Sequence, residues 1–299
     1  MITVVGSVNM DLVVSVNEIP RPGETVLGKS LLQNPGGKGA NQAVAAARLG
    51  SKVTFIGCIG DDIFGEALKN NMEVNGIDTT PIRTVAGCNS GIALIQVDDK
   101  GQNNIVVVPG SNYKLTREDI DNNYEVLQKS DIVILQLEVP LEIVEYTFEQ
   151  AKRAGCITIL NPAPACELPK KLLEYVDILI PNEHELQRIT NEDCSTLQGI
   201  EKAARRLQQS GVKKLLVTMG EKGVLYLDQN ESEIYPANKV DVVDTTAAGD
   251  SFLGGFTSSY ERHRDIAAAI KYGQLTAAYT IQRHGAQQSL PSYKDIGKE

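Results

Sequence analysis

The chain has 299 residues, a formal net charge of −9 and a pI near 5.0, which excludes neutralising a nucleic-acid backbone with a clustered basic face as its main task. With 42% hydrophobic and 22% charged residues and no low-complexity tract, the composition is that of a globular protein with apolar material for one large core. Five separated cysteines, Cys58, Cys88, Cys156, Cys166 and Cys194, never form a CxxC pair, and three histidines lack metal-ligand spacing, so a disulfide framework, a zinc site and a histidine-based triad all lack material.

The N-terminal stretch MITVVGSVNMDLVVSV carries no basic segment ahead of its apolar residues. No window approaches the ~18 apolar residues of a membrane span, so a soluble, cytoplasmic chain with neither membrane nor nucleic-acid partner is expected.

Short β-branched runs then alternate with longer amphipathic ones. ITVVG is followed by GANQAVAAARLG, KVTFIG by FGEALKNNMEVNG, and DIVILQLE by LEIVEYTFEQAKRAG. CITILN, VDILIPN, EHELQRIT, IEKAARRLQQSG and KKLLVTMG continue the pattern. This alternation predicts an α/β fold: βαβ units building a mainly parallel sheet covered by helices on both faces, as a single domain over 1–299. Two segments, 11–34 and 88–108, read instead as strand, turn, strand, the second around a polar DDKGQNN turn. They form either a small β-sheet lid, spanning about 11–36 and 88–110, or edge strands of the main sheet. Residues 248–261 and 265–283 read as two consecutive helices.

Chemistry concentrates in VDVVDTTAAGDSF. A strand VDVV is expected to end at Asp244, with a helix starting near Ala247, Ala248 and Gly249. The free backbone N–H groups of those three residues would face an anion, with Asp250 in the first turn as an ionised carboxylate. A carboxylate beside an anion hole suits phosphoryl transfer to an alcohol; a plain first-turn acid is the structural alternative. In NPGGKGANQ, Gly36, Gly37 and Gly39 permit close approach of a ligand, while Lys38 and Asn41 offer hydrogen bonds. Asn9 and Asp11 follow the first strand, and Gln136 and Glu138 another, where open α/β sheets bind ligands. Asn182 and Glu185 follow DILI with the spacing of a capping box, and Thr218, Gly220 and Gly223 form a TxGxxG turn. No Walker A loop occurs, and no GxGxxG follows the first strand.

Taken in order, SVNMDLVV, GGKGANQAVAAARLG, GDDIFG, QLE, PNEHE, TMGEKG, DTTAAGDSF and RHGAQQSLP resemble the ribokinase-like (PfkB) carbohydrate kinase family over nearly the whole chain. The resemblance implies a three-layer α/β domain with a small β lid that also forms a homodimer interface. It implies ATP-dependent phosphorylation of the 5-hydroxyl of D-ribose, with deoxyribose, fructose or a nucleoside as neighbouring acceptors and a silent sugar or nucleotide sensor as the rival reading. Asp250 would be the base, and Asn9, Met10, Asp11, Gly37, Lys38, Gly39, Asn41 and Glu138 would hold the sugar. ATP would lie against Asn182, Thr218, Met219, Gly220, Glu221, Lys222, Gly223 and Gly249, with Glu185 acting on Mg²⁺ through water. Gln274 stands where the family often has Asn or His near the adenine. A monovalent cation, K⁺, would take oxygens from Asp244, Thr246, Thr280, Arg283, Gly285 and Ser289.

Overall fold

The computed structural model describes residues 1–297. Its strands are β1 (Ile2–Val5), β2 (Asn9–Ser15), β3 (Ser30–Gly36), β4 (Val53–Gly60), β5 (Ile82–Val85), β6 (Gly91–Val97) and β7 (Asn103–Val108). They continue with β8 (Ile132–Leu135), β9 (Ile157–Leu160), β10 (Ile178–Leu179), β11 (Lys214–Thr218), β12 (Val224–Leu227) and β13 (Ser232–Tyr235). The α-helices are α1 (Lys38–Arg48), α2 (Ile63–Val74), α3 (Arg117–Asp121), α4 (Tyr124–Gln128), α5 (Leu141–Arg153), α6 (Lys170–Glu174) and α7 (Glu183–Thr190). After them come α8 (Leu197–Gln209), α9 (Ala248–His263), α10 (Ile266–Thr280) and α11 (Tyr293–Ile296).

Nine strands form one sheet in the order β13-β12-β11-β10-β9-β8-β1-β4-β5. Only β12 and β13, at one edge, run antiparallel to their neighbours. The apolar runs of the central strands divide by residue parity, as the two-residue period of a pleated strand requires. In β8, Val133 and Leu135 enter a core with α5 and α8 residues such as Phe148 and Ile200, while Ile132 and Ile134 enter a second core with α1, α9 and α10. Both sheet faces are therefore buried, and the expected three-layer α/β architecture is observed.

From β1 the order moves through β4 to β5 on one side and through β8 to β11 on the other. The helices α1 and α2 pack on one face, and α5 and α8 on the opposite one. Right-handed crossovers leaving in opposite directions require this, and they open a crevice between the carboxyl ends of β1 and β8.

The two excursions do not join the edge of the main sheet. They build a separate four-stranded sheet in the order β3-β2-β6-β7, with β2 and β6 parallel and the outer pairs antiparallel. The DDKGQNN turn is a hairpin turn in which Asp98 Oδ1 accepts from the N–H groups of Lys100 and Gln102.

VDVV is not a strand. Val242 and Val243 are exposed, and the N–H groups of Val243 and Asp244 both donate to the Ile281 carbonyl just beyond α10. No neighbouring strand is available there, so β-branched composition alone cannot form one. Capture of that carbonyl accompanies the end of the helix at Thr280, short of the predicted residue 283. Among the described residues, no helix is long and apolar enough to cross a membrane.

Candidate active site

A cavity of about 210 Å³ lies over the carboxyl ends of the central strands, lined among others by Lys38, Asn161, Asn182, Glu185, Thr218 and Asp250. Three neighbouring strands contribute a polar group near their ends, Asn161 after β9, Asn182 after β10 and Thr218 closing β11, while Glu138 after β8 accepts from the backbone N–H of Lys38, itself a lining residue. A wider groove on the outer face of α2 is lined by Ile63, Glu66, Lys69 and Glu73 and has no comparable convergence.

Two helix starts meet here. Along α9 and α1, Asp250 faces Asn41 and Gln42, a Cβ at Gly254 would fall 2.3 Å from Ala45 Cβ, and Ser258 donates to the Leu49 carbonyl. The pairing advances in the same direction on both helices, so they run parallel with their N-termini together. Two positive dipole ends thus share one site.

The start of α9 is left uncapped. Ala247 occupies the N-cap position in the left-handed region, φ 59°, and no side chain caps the helix. A left-handed alanine costs about 1–2 kcal/mol and is held only by its surroundings. The predicted hole of three N–H groups needs one correction: the Ala248 N–H closes a turn onto the Thr245 carbonyl at 3.2 Å. The N–H groups of Ala247 and Gly249 have no acceptor among the described residues, and nothing lies within 4 Å of a Cβ built on Gly249.

Asp250 is 8% exposed. Asn41 Nδ2 donates to its Oδ2 at 3.0 Å and Gln42 Nε2 to its Oδ1 at 2.9 Å. Burial pushes its pKa above the usual carboxylate value and Glu138 adds to this; Lys38, Asn41 and Gln42 pull the other way. Burial, with Glu138 and Asp250 nearby, pushes Asp11 up to about 7. Lys38 is raised: burial opposes its charge, but Asp250, Glu138, Glu185 and Asp11 outweigh that cost. One cation thus serves a ring of carboxylates, an electrostatic arrangement suited to an incoming polar ligand.

The other predicted residues fall into three groups. Asn9, Asp11, Lys38, Asn41 and Glu138 come together; Glu138 Oε2 accepts from Ser7 Oγ at 2.6 Å, and Asn9 Oδ1 from Asn112 Nδ2 at 2.7 Å. Met10 instead turns its side chain into the core, and Gly37 and Gly39 serve close backbone packing. Gly37 has φ 89°, and a Cβ there would fall 2.8 Å from the Asn9 nitrogen. On the other side of the cavity, Asn182 and Glu185 form a complete capping box at the start of α7, with both hydrogen bonds at 2.8 Å. Both still line the cavity, so the structural and ligand-facing readings coexist. Burial raises Glu185, against its Asn182 hydrogen bond. Met219 is buried, Lys222 pairs with Glu183 at 2.9 Å, and Gly220 and Gly223 have φ 55° and 100° around Glu221. Gln274 donates to the carbonyls of Tyr235 and Pro236, tying α10 to the end of β13.

Of the predicted cation residues, Thr246 and Gly285 meet at the Asp244 carboxylate, and Ser289 reaches it only through Gly285. Oδ1 accepts from the Thr246 N–H and hydroxyl, and Oδ2 from the Gly285 N–H at 2.9 Å. Its pKa is lowered, the burial penalty being outweighed by these donors. Ser289 Oγ donates to the Gly285 carbonyl, the Arg283 N–H to the Thr280 carbonyl, and Thr280 Oγ1 shares a hydrogen bond with Ser251.

Sequence reasoning missed Ser7, Gln42, Asn112, Asn161 and Gln287. Ser7 and Asn161 follow the ends of β1 and β9, so the rule that found Glu138 would have found them. Asn112 and Gln287 reach the site across 103 and 246 residues, to Asn9 and Asn41, and leave no local signal.

The chain is 42% identical to the ribokinase of Haemophilus influenzae over 294 residues, covering 98% of this chain and 96% of that one. It is 41% identical over 298 residues to the deoxyribokinase of Salmonella typhi, at 99% and 97% coverage. Among solved structures, Arabidopsis thaliana ribokinase complexed with ribose and ATP superposes with a TM-score of 0.92 at 32% identity, covering 99% of this chain and 96% of that one. The model of the pfkB family carbohydrate kinases matches residues 1–293, and with relatives of this identity and coverage the chain belongs to that family.

Proposed function

We propose that the chain transfers the γ-phosphoryl group of ATP to the 5-hydroxyl of D-ribose, with Asp250 as general base. The observation that carries this reading is the buried Asp250 carboxylate beside an uncapped helix start whose Ala247 and Gly249 N–H groups lack protein acceptors. The carboxylate takes the hydroxyl proton, the freed oxygen bonds to the γ-phosphorus, and the bond to the β,γ-bridging oxygen breaks, its electron pair leaving with ADP. The two N–H groups and the paired helix dipoles stabilise the charge on the transferring group.

Asn9, Asp11, Lys38, Asn41 and Glu138 hold the sugar beside Asp250, and the backbone around Gly37 and Gly39 shapes that end. Asn182, Thr218, Gly249 and the Gly220 to Gly223 turn line the nucleotide's path, with Gln274 near the base. Ribokinases among the relatives, and the ribose and ATP complex of the Arabidopsis enzyme, support this acceptor. The deoxyribokinase at 41% identity favours 2-deoxyribose as the second reading.

Mg²⁺ suits Glu185, whose Oε1 has no hydrogen-bond partner among the described residues while Oε2 serves the cap. Among the described residues there is no cluster of three potential metal-ligating side chains, which fits an ion held chiefly by phosphates and water. Such an ion would neutralise phosphate charge. A monovalent cation, K⁺, suits the oxygen-only set of Asp244, Thr246, Thr280, Arg283, Gly285 and Ser289, and would order the loop leading to Ala247.

The small sheet acts as a lid over the sugar and as a homodimer face. Leu31, Leu94, Val106 and Val108 are exposed on one face of its strands, whereas Leu32 and Ile105 turn to the other, and the first set forms an apolar patch that favours burial against a second copy.

With Mg-ATP and K⁺ present, initial rates across a sugar and nucleoside panel should favour ribose; preference for deoxyribose moves the acceptor but keeps the chemistry. Asp250→Asn should lower kcat by about 100- to 10,000-fold while retaining ATP and sugar binding, and near-normal turnover would remove the base. Asp11, with its pKa near 7, is protonated below that pH and loses acceptor capacity. Accordingly kcat/KM for ribose should fall as pH drops through about 7, and Asp11→Asn should abolish that limb. Asp244→Ala should leave the rate insensitive to K⁺, whereas undiminished activation would refute the cation assignment. Val106→Asp should shift sedimentation from dimer to monomer; an unchanged dimer would place the interface elsewhere.

A further inference from the structure

We propose that Gln42 and Gln136 are positioning residues for the Asp250 carboxylate, forming a two-amide relay from the end of β8 through α1 that presents a fixed N–H donor to Oδ1. Gln42 is fully buried. Its Nε2 donates to Asp250 Oδ1 at 2.9 Å and to Asn161 Oδ1 at 3.1 Å, and its Oε1 accepts from Gln136 Nε2 at 2.5 Å.

A glutamine amide has one donor end and one acceptor end of nearly the same shape, so packing alone scarcely distinguishes its two orientations. If inverted, Gln42 would set its carbonyl oxygen against a carboxylate and a second carbonyl oxygen. Two contacts prevent this. The Gln136 donor requires Oε1 on its side, and Asn161 Nδ2, donating to the Ile180 carbonyl at 3.0 Å, keeps Asn161 Oδ1 turned to Gln42.

Gln136 carries a cost that an apolar residue would avoid. It is 1% exposed, and its Oε1 has no hydrogen-bond partner among the described residues. That oxygen rests where a Cβ at residue 6 would approach to 2.2 Å, so a side chain there would displace the Gln136 amide. A leucine would remove the buried unsatisfied acceptor, and what it would also remove is the donor to Gln42.

The relay matters because Asp250 sits among charges from several elements: Lys38 on α1, Glu138 after β8, Asp11 on β2 and Glu185 on α7. Three of these four oppose its ionised form. Donors aimed at the carboxylate restore that form and fix the direction of its basic lone pair.

The inference rests on Asp250 being the base, and the test separates the two. The kcat–pH profile, at saturating ribose and Mg-ATP, is measured for Gln42→Leu, Gln136→Leu and the double variant, with Asp250→Asn alongside. Gln42→Leu should lower kcat about ten-fold and move its acid limb up by about one pH unit, with KM for ATP unchanged within about two-fold. Gln136→Leu should shift both in the same direction by less, and the double variant should be no worse than Gln42→Leu because one path is removed.

A purely structural role would reduce the amount of folded enzyme and leave the acid limb in place. Unmoved limbs in both single variants, or additive losses in the double, overturn the relay. Where Gln42→Leu does not fold, Gln136→Glu decides: replacing the donor by an acceptor should invert Gln42 and depress kcat below that of Gln136→Leu. Starting kcat and acid limb in Gln136→Glu overturn the proposal. Full turnover in Asp250→Asn defeats the base itself; an inactive Asp250→Asn with unaltered glutamine variants defeats only the relay.

Discussion

Close parallel contact between α1 and α9 is the constraint on which the site depends. Gly254 makes it possible, because any side chain there would collide with Ala45 and the Ala46 nitrogen. Parallel packing is unfavourable for the dipoles, whose like ends lie together, and the apolar and hydrogen-bonded contact between the helices must outweigh it. The same contact gives the site two helix starts aimed at one point, and it sets Asp250 within hydrogen-bonding distance of Asn41 and Gln42.

That arrangement organises the charges. A carboxylate this buried favours protonation, yet a base must be ionised, so opposing forces have to be balanced within a few ångströms. Lys38, two amide donors and the dipoles pull toward ionisation; burial and Glu138 push against it. The glycine-rich stretch before α1 lets the backbone pass close to Asn9 and Ser7, which places Lys38 at the crevice.

The capping box at α7 shows how one residue can serve two ends. Asn182 and Glu185 satisfy the helix start with one oxygen each and keep their remaining polar atoms for the cavity. The same economy appears at Asp244, whose two oxygens join the loop before α9 to the turn after α10. Loop order and site geometry are thereby linked through carboxylates.

Much of the fold is legible in the amino-acid sequence alone. Strand and helix alternation determined the three-layer α/β core because the periods of two and 3.6 residues are local properties of the chain, as was the hairpin turn at Asp98. The motifs placed Asp250, Lys38, Asn9 and Glu138 at element ends, where ligands bind. The sequence could not decide whether VDVV pairs, because a strand needs a partner and none lies beside it. Nor could it show that the Ala248 N–H is already used, that Met10 and Met219 turn inward, or that the excursions form their own sheet. The relay from Gln136 to Gln42 to Asp250 spans residues separated by 94 and 208 positions. Local patterning therefore determined which elements form and which polar groups stand at their ends; only tertiary packing decided which of those groups meet, because hydrogen bonds across such separations depend on the whole core being assembled.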